Sequence, residues 1–215
     1  MKAGRSATAD EARAFTTYMA RLFGATIIRK DQSWAMEWIA AGFDLVRKFK
    51  PNLPTGQMFL ERFATTIGTI IYLPAHLTPD EEIEVVAHEC QHVEQFVHGG
   101  AATGLAGGPA MWWLYLRESE ALVRYEAEAY RTSLEMQLAR FGLLPSLESL
   151  VFPLEGNYGI EDEGHKQLAK DLLEIGATSV VKTGRPSTKA GQAAVEFLRR
   201  TYPHLLATAE RSGDL

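Results

Sequence analysis

Apolar side chains recur at helical spacing along most of the chain. In residues 9–24, Phe15, Met19, Leu22 and Phe23 fall on one side of a helix. In residues 32–49, Trp34, Trp38, Ile39, Phe43, Val46 and Phe49 recur at spacings of three to four and predict a second helix with these residues as its apolar side. The stretch KPNLPTGQ then carries two prolines and a glycine, which marks a loop. Residues 58–74, MFLERFATTIGTIIYLP, are rich in β-branched and aromatic residues and stop at Pro74. They predict one or two strands, with a hairpin turning near Thr66–Gly68.

The clearest helix begins after Leu77. Thr78 stands at the N-cap, Pro79 at the first helical position and Glu81 three residues after the cap, which is a capping box. Gly99 and Gly100 provide the stop, so the helix runs for about 20 residues. Its apolar stripe is Ile83, Val86, Cys90, Val93 and Val97. A long helix is predicted over 110–141, ended by Gly142 and Pro145. Beyond it, LESLVFPLEGNYG reads mostly as loop and EGHKQLAKDLLEIG as helix. ATSVVKTGRPST reads as a strand or extended loop, and KAGQAAVEFLRRTY as a final helix. The fold class expected is α+β and predominantly helical, in a single domain over 1–215. Its core lies at about 55–142, with N-terminal helices at 9–50 and a helical C-terminal region at 143–215. A small sheet on the N-terminal side packs on the capped helix.

Net charge is −5 and no basic run occurs, so nucleic acid is not an expected partner. The single cysteine, Cys90, forbids an intramolecular disulfide and a cysteine-rich zinc site. No apolar segment follows Lys2 and Arg5, which predicts no signal peptide and a cytoplasmic location, with delivery by a carrier particle or non-standard export as the other route. The uncharged stretch 99–116 is Gly-rich with Pro109 inside. It reads as a loop entering an aromatic-rich helix, and no stable membrane insertion is expected. Nothing indicates an oligomeric state.

The capped helix carries the candidate chemistry. His88-Glu89-Cys90-Gln91-His92 is an H-E-x-x-H pattern. Histidines four apart stack on one helical face, and their rings reach a common point, as tetrahedral zinc requires. Glu89 lies about 100° round from His88, flanking such a metal, where a carboxylate exchanges a proton with a metal-activated water. Both histidines lie about 180° from the apolar stripe, whereas Cys90 points into it.

A third ligand is needed. His98 has near-metzincin spacing, but that family has a glycine where this chain has Gln95. On an unbroken helix His98 sits about 120° from His92 and behaves as a solvated helix-end residue. The next long helix offers Glu118, Glu120, Glu126 and Glu128. Against the stripe of Leu116, Val123, Ala127, Tyr130, Leu134, Leu138 and Phe141, Glu118 and Glu128 point outward by about 140°. Glu120 and Glu126 flank it at about 60° on opposite sides.

HECQH on a helix, preceded by a strand and followed by a helix bearing YEAEAY, resembles the gluzincin branch of the zincin metallopeptidases. The resemblance spans residues 66–133, about a third of the chain. It implies a zincin-like core, zinc held by His88, His92 and Glu126, and Glu89 as general base in hydrolysis of a peptide or protein substrate. Tyr130 stands where that family has a supporting aspartate, and its hydroxyl becomes a candidate to face the substrate oxyanion. Tyr125, Tyr158 and His165 are the other candidates. In such peptidases a strand before the motif helix aligns the substrate; here Thr69–Pro74 either does so or is a core strand, given its continuous apolar run. GGAATGLAGG is either a mobile wall of the cleft or a spacer. The alternative function is a zincin-like binding or structural module without turnover.

Overall fold

The first helix starts where Thr8 meets Glu11. The Thr8 hydroxyl accepts the Glu11 N–H and the Glu11 carboxylate accepts the Thr8 N–H, so two N–H groups at the helix start are satisfied together. This is a computed structural model, and it describes residues 3–47, 55–99, 107–108, 110–111, 119–146, 149–150 and 162–208. Helix α1 (Ala9–Phe23) leads to strand β1 (Thr26–Arg29), a 3-10 turn (Lys30–Gln32) and helix α2 (Trp34–Val46). Helix α3 (Gly56–Arg62) precedes strands β2 (Thr65–Ile67) and β3 (Ile70–Leu73). Then follow the long helices α4 (Pro79–His98), α5 (Ser119–Phe141), α6 (Glu163–Thr183) and α7 (Lys189–Thr201).

The chain is thus mostly helical with one three-stranded sheet, in the order β1-β3-β2. β1 runs parallel to β3, with Thr26 opposite Ile70. β2 and β3 form the hairpin, Thr66 opposite Ile71, and Gly68 takes the left-handed turn position at φ 63°. The main core joins both ends of the chain to α4. Phe15 and Met19 of α1 and Ala194 and Leu198 of α7 pack with Ile83, Val86, Cys90 and Val93. Arg140 at the end of α5 is fully buried and pairs with Asp80 and Glu84 in the first turns of α4. That clamp sets the two helices in register.

Several expectations need correction. β1 has no counterpart in the sequence reading. Met58–Arg62 is helical rather than extended, because the Thr55 side chain accepts the Met58 N–H and caps α3. β3 is the central strand and cannot be an open edge, which leaves the core-strand reading of Thr69–Pro74. Its Ile71 and Leu73 are fully buried. Val97 is exposed, so the α4 stripe ends at Val93. Residues 177–183 continue α6 as helix up to Gly184. Gly176 is not a stop; a β-carbon there would lie 3.0 Å from the Arg131 side chain, so glycine lets α5 and α6 approach.

The tryptophans of α2 face outward. Trp34 and Trp38 are 75% and 74% exposed, whereas Met36 and Ala40 are buried against Phe59 and Tyr72. α3 packs closely on that face: a β-carbon on Gly56 would lie 2.4 Å from the Ala40 carbonyl oxygen, so the glycine lets α3 approach α2 on the side of Met36 and Ala40 rather than on that of the tryptophans. The side chains of Phe43 and Val46, and all of Phe49, lie outside the described residues, as do 100–106 of the Gly-rich stretch and 151–161, which include Tyr158. Among the described residues, no helix is long and apolar enough to cross a membrane.

The buried face of α2 is testable by urea unfolding. Met36→Ala should cost about 2–5 kcal/mol as a core truncation, and Trp34→Ser should stay within about 0.5 kcal/mol as a surface change. The reverse order would show that the tryptophan face is the packed one.

Candidate metal centre

Thr78 and Glu81 form the expected capping box, and Pro79 opens α4. The helix then runs unbroken to His98, touching α1, α5, α7, β2 and β3. Because it is covered on so many sides, its polar residues are buried as well: Glu89, Gln91, His92 and Gln95 all lie inside. Each therefore needs a partner.

His88 and His92 stack on one face, with ring centroids 5.1 Å apart. Across from them α5 delivers Glu126, itself 1% exposed. Its two oxygens face the two rings: Oε2 lies 3.9 Å from His88 Nε2 and Oε1 lies 3.5 Å from His92 Nε2. One ligand atom from each of the three residues lies within 4.8 Å of the others.

The far side of each ring is engaged. His88 Nδ1 lies 3.1 Å from Ser133 Oγ, and the ring also hydrogen-bonds the Ala129 backbone. His92 Nδ1 lies 2.9 Å from Gln95 Oε1. With each Nδ1 occupied, both Nε2 atoms turn inward towards the carboxylate. Two imidazole nitrogens and one carboxylate, oriented from behind, are a donor set that fits a divalent transition metal with room for a further ligand.

Comparison with protein-family models, curated proteins and solved structures finds no match to this chain. The His88–His92–Glu126 cluster stands on its own geometry as a group that could hold a metal ion.

Burial and charge set unlike protonation states in the cluster. Burial, then the neighbouring His92, pushes His88 down to about 3. Burial also works against a charged His92, but the Glu126 carboxylate, Glu89 and the Gln95 hydrogen bond outweigh it and hold that ring up at about 9. Burial raises the Glu89 carboxyl above its ordinary range, while His92 and Thr66 pull it back. The Thr66 hydroxyl donates to Glu89 Oε2 at 2.6 Å, so the edge strand β2 holds that carboxylate.

The other candidates separate cleanly. Glu120 is exposed and pairs with Arg124. His98 is exposed at the end of α4. Glu128 was expected to point outward and is instead buried, accepting from Gln95 Nε2 at 3.0 Å. The reason is that α5 is covered by α4 on one side and α6 on another, so it has little outward face. Tyr130 sets its ring edge-on to His88, centroids 4.8 Å apart. Tyr125 packs instead with Met111, Ala121 and Phe96, and His165 pairs with Asp162 at the start of α6. Cys90 is buried, and burial pushes its thiol up, as suits packing.

Four contributors escaped the sequence reading. Gln95 and Ser133 had a signal available: each follows a proposed ligand on its own helix, Gln95 by one turn from His92 and Ser133 by two turns from Glu126. Thr66 had none, because its partner depends on hairpin register. Lys30 had none either. It is 1% exposed, donates to the Phe59 carbonyl and the Thr65 hydroxyl at 2.9 Å each, and sits 3.5 Å over the Phe59 ring. Burial pushes it down to about 7, while Glu89 acts in the opposite sense.

A metal must displace the proton held on His92. Because that ring stays protonated up to about 9 while His88 is already neutral above about 3, binding of a divalent metal ion there should release one proton throughout pH 5–8. Affinity measured by chelator competition should rise about tenfold per pH unit over this range. A plateau above about pH 6.5, the ordinary histidine value, would show that His92 is not raised.

Proposed function

We propose that the chain is a zinc-dependent peptidase of the gluzincin-like zincin type, hydrolysing a peptide or amide bond. His88, His92 and Glu126 would hold the zinc. The observation that carries the proposal is Glu89. It is buried next to the triad, feels both His92 and Glu126, and accepts a hydrogen bond from the Thr66 hydroxyl. A purely structural metal site has no use for such a carboxylate. Bound in this cluster, zinc supplies a Lewis acid that acidifies water and polarises a carbonyl.

The protein's own groups divide the remaining work. Glu89, with its carboxyl raised by burial and so more basic than an ordinary carboxylate, is suited to accept a proton from the attacking water and return it to the leaving amine. Tyr130 stands against His88, and burial keeps its phenol protonated, so its hydroxyl remains a donor for the charge that develops on the carbonyl oxygen. An extended substrate would lie along β2. That strand is the sheet edge next to Glu89, and β3 is its only strand neighbour among the described residues.

Two variants test the proposal. Glu89→Gln should bind zinc as wild type does, yet lose about 10²- to 10⁴-fold in hydrolysis of a peptide library or in self-cleavage. Equal turnover by the two proteins would overturn the peptidase reading, and so would no turnover by either; the second result fits a binding module. Tyr130→Phe should lower kcat by about 10²- to 10³-fold with KM and zinc affinity unchanged. Unchanged kcat would remove Tyr130 from the chemistry.

A further inference from the structure

The nitrogen of His92 that faces away from the triad meets an amide rather than a carboxylate. Gln95 is fully buried one turn along α4. Its Nε2 donates to the Tyr125 carbonyl at 2.9 Å and to Glu128 Oε2 at 3.0 Å. Its Oε1 lies 2.9 Å from His92 Nδ1.

These contacts leave one self-consistent arrangement. A backbone carbonyl and a carboxylate both accept, so the NH₂ of Gln95 must face them. Its carbonyl oxygen is then turned to His92 and can only accept, so the ring hydrogen must sit on Nδ1. A neutral His92 therefore carries its lone pair on Nε2, the atom directed at Glu126. Reversing the amide would set its oxygen against two acceptors in a buried space, at the full cost of unmade hydrogen bonds.

We infer that Gln95 and Glu128 are positioning residues for the metal: Glu128 orients Gln95, and Gln95 fixes His92 as an Nε2 ligand. The inference rests on the proposed metal site but not on hydrolysis. It also gives a purpose to Glu128, a carboxylate two residues from Glu126 that approaches the centre through an amide. Tyr130 stands where the resembled family has an aspartate. The outer carboxylate is thus supplied from a different position.

The experiment measures zinc affinity of the full chain by chelator competition, with thermal unfolding of the metal-free protein to check folding. Gln95→Leu should weaken zinc binding about 10- to 100-fold, as loss of an outer partner does. Gln95→Glu should also weaken it, because a second carboxylate then faces Glu128. The exchange variant Gln95→Glu with Glu128→Gln restores one acceptor for His92 and one donor between the two positions. It should recover part of the affinity lost in Gln95→Glu, the Tyr125 carbonyl still lacking its donor, and a merely space-filling role would produce no recovery. Wild-type affinity in Gln95→Leu would overturn the inference, and so would an exchange variant no better than Gln95→Glu alone. Zinc affinity is the readout, so failure of the peptidase reading and failure of this inference are separate results.

Discussion

Burying a helix that carries polar residues on several sides is the constraint from which the rest of this structure follows. α4 presents Ile83, Val86, Ala87, Cys90 and Val93 to the main core, but it also takes Glu89, Gln91, His92 and Gln95 out of water. A buried polar group without a partner costs on the order of 1–3 kcal/mol, so each of these positions dictates something about a neighbour. Thr66 must come from the hairpin to meet Glu89. The start of α7 must come to Gln91, whose side-chain oxygen accepts the Ala190 N–H. α5 must bring Glu126 to the histidines and the Tyr125 carbonyl to Gln95. The packing of the layers and the assembly of the candidate site are therefore one problem.

The same burial gives like residues unlike properties. His88 and His92 stand one turn apart, yet one is held neutral and the other protonated, because His92 lies closer to Glu126 and also feels Glu89. Glu135, elsewhere on α5, is a third pattern. Its carboxylate accepts from the Ser187 and Thr188 N–H groups and hydroxyls at the entry to α7, and it serves as an anchor for that helix. Sequence spacing alone does not distinguish a carboxylate that caps a helix from one that faces a metal. The partners across the interface do.

Those partners explain what was legible in advance. The α4 boundaries were readable because the Thr78–Glu81 box and Gly99 are local signals; Glu126 lies beside the two histidines, whereas Glu120 and His98 are exposed. Features set by contact between elements were not readable. The face that α2 buries depends on how closely Gly56 approaches Ala40, so its tryptophans misled the apolar pattern. The inward turn of Glu128 depends on α5 being covered on two sides. β1 exists because its partner β3 lies more than forty residues on, with Thr26 paired to Ile70. In each case a non-local neighbour overrode a local preference.

The two faces of α4 answer to different parts of the chain. The face that carries His88 and His92 meets the Ser119–Phe141 helix, the next long helix in sequence, which brings Glu126. The opposite face, with Ile83, Val86, Cys90 and Val93, is covered by α1 and α7, which lie far apart in sequence. Contacts of such high sequence separation carry a large loop-closure cost, whereas the triad is built from neighbouring helices. Removing α7 would strip the apolar cover and take the Ala190 N–H from Gln91, while the α4–α5 contact that holds the three candidate ligands would lose none of its own residues.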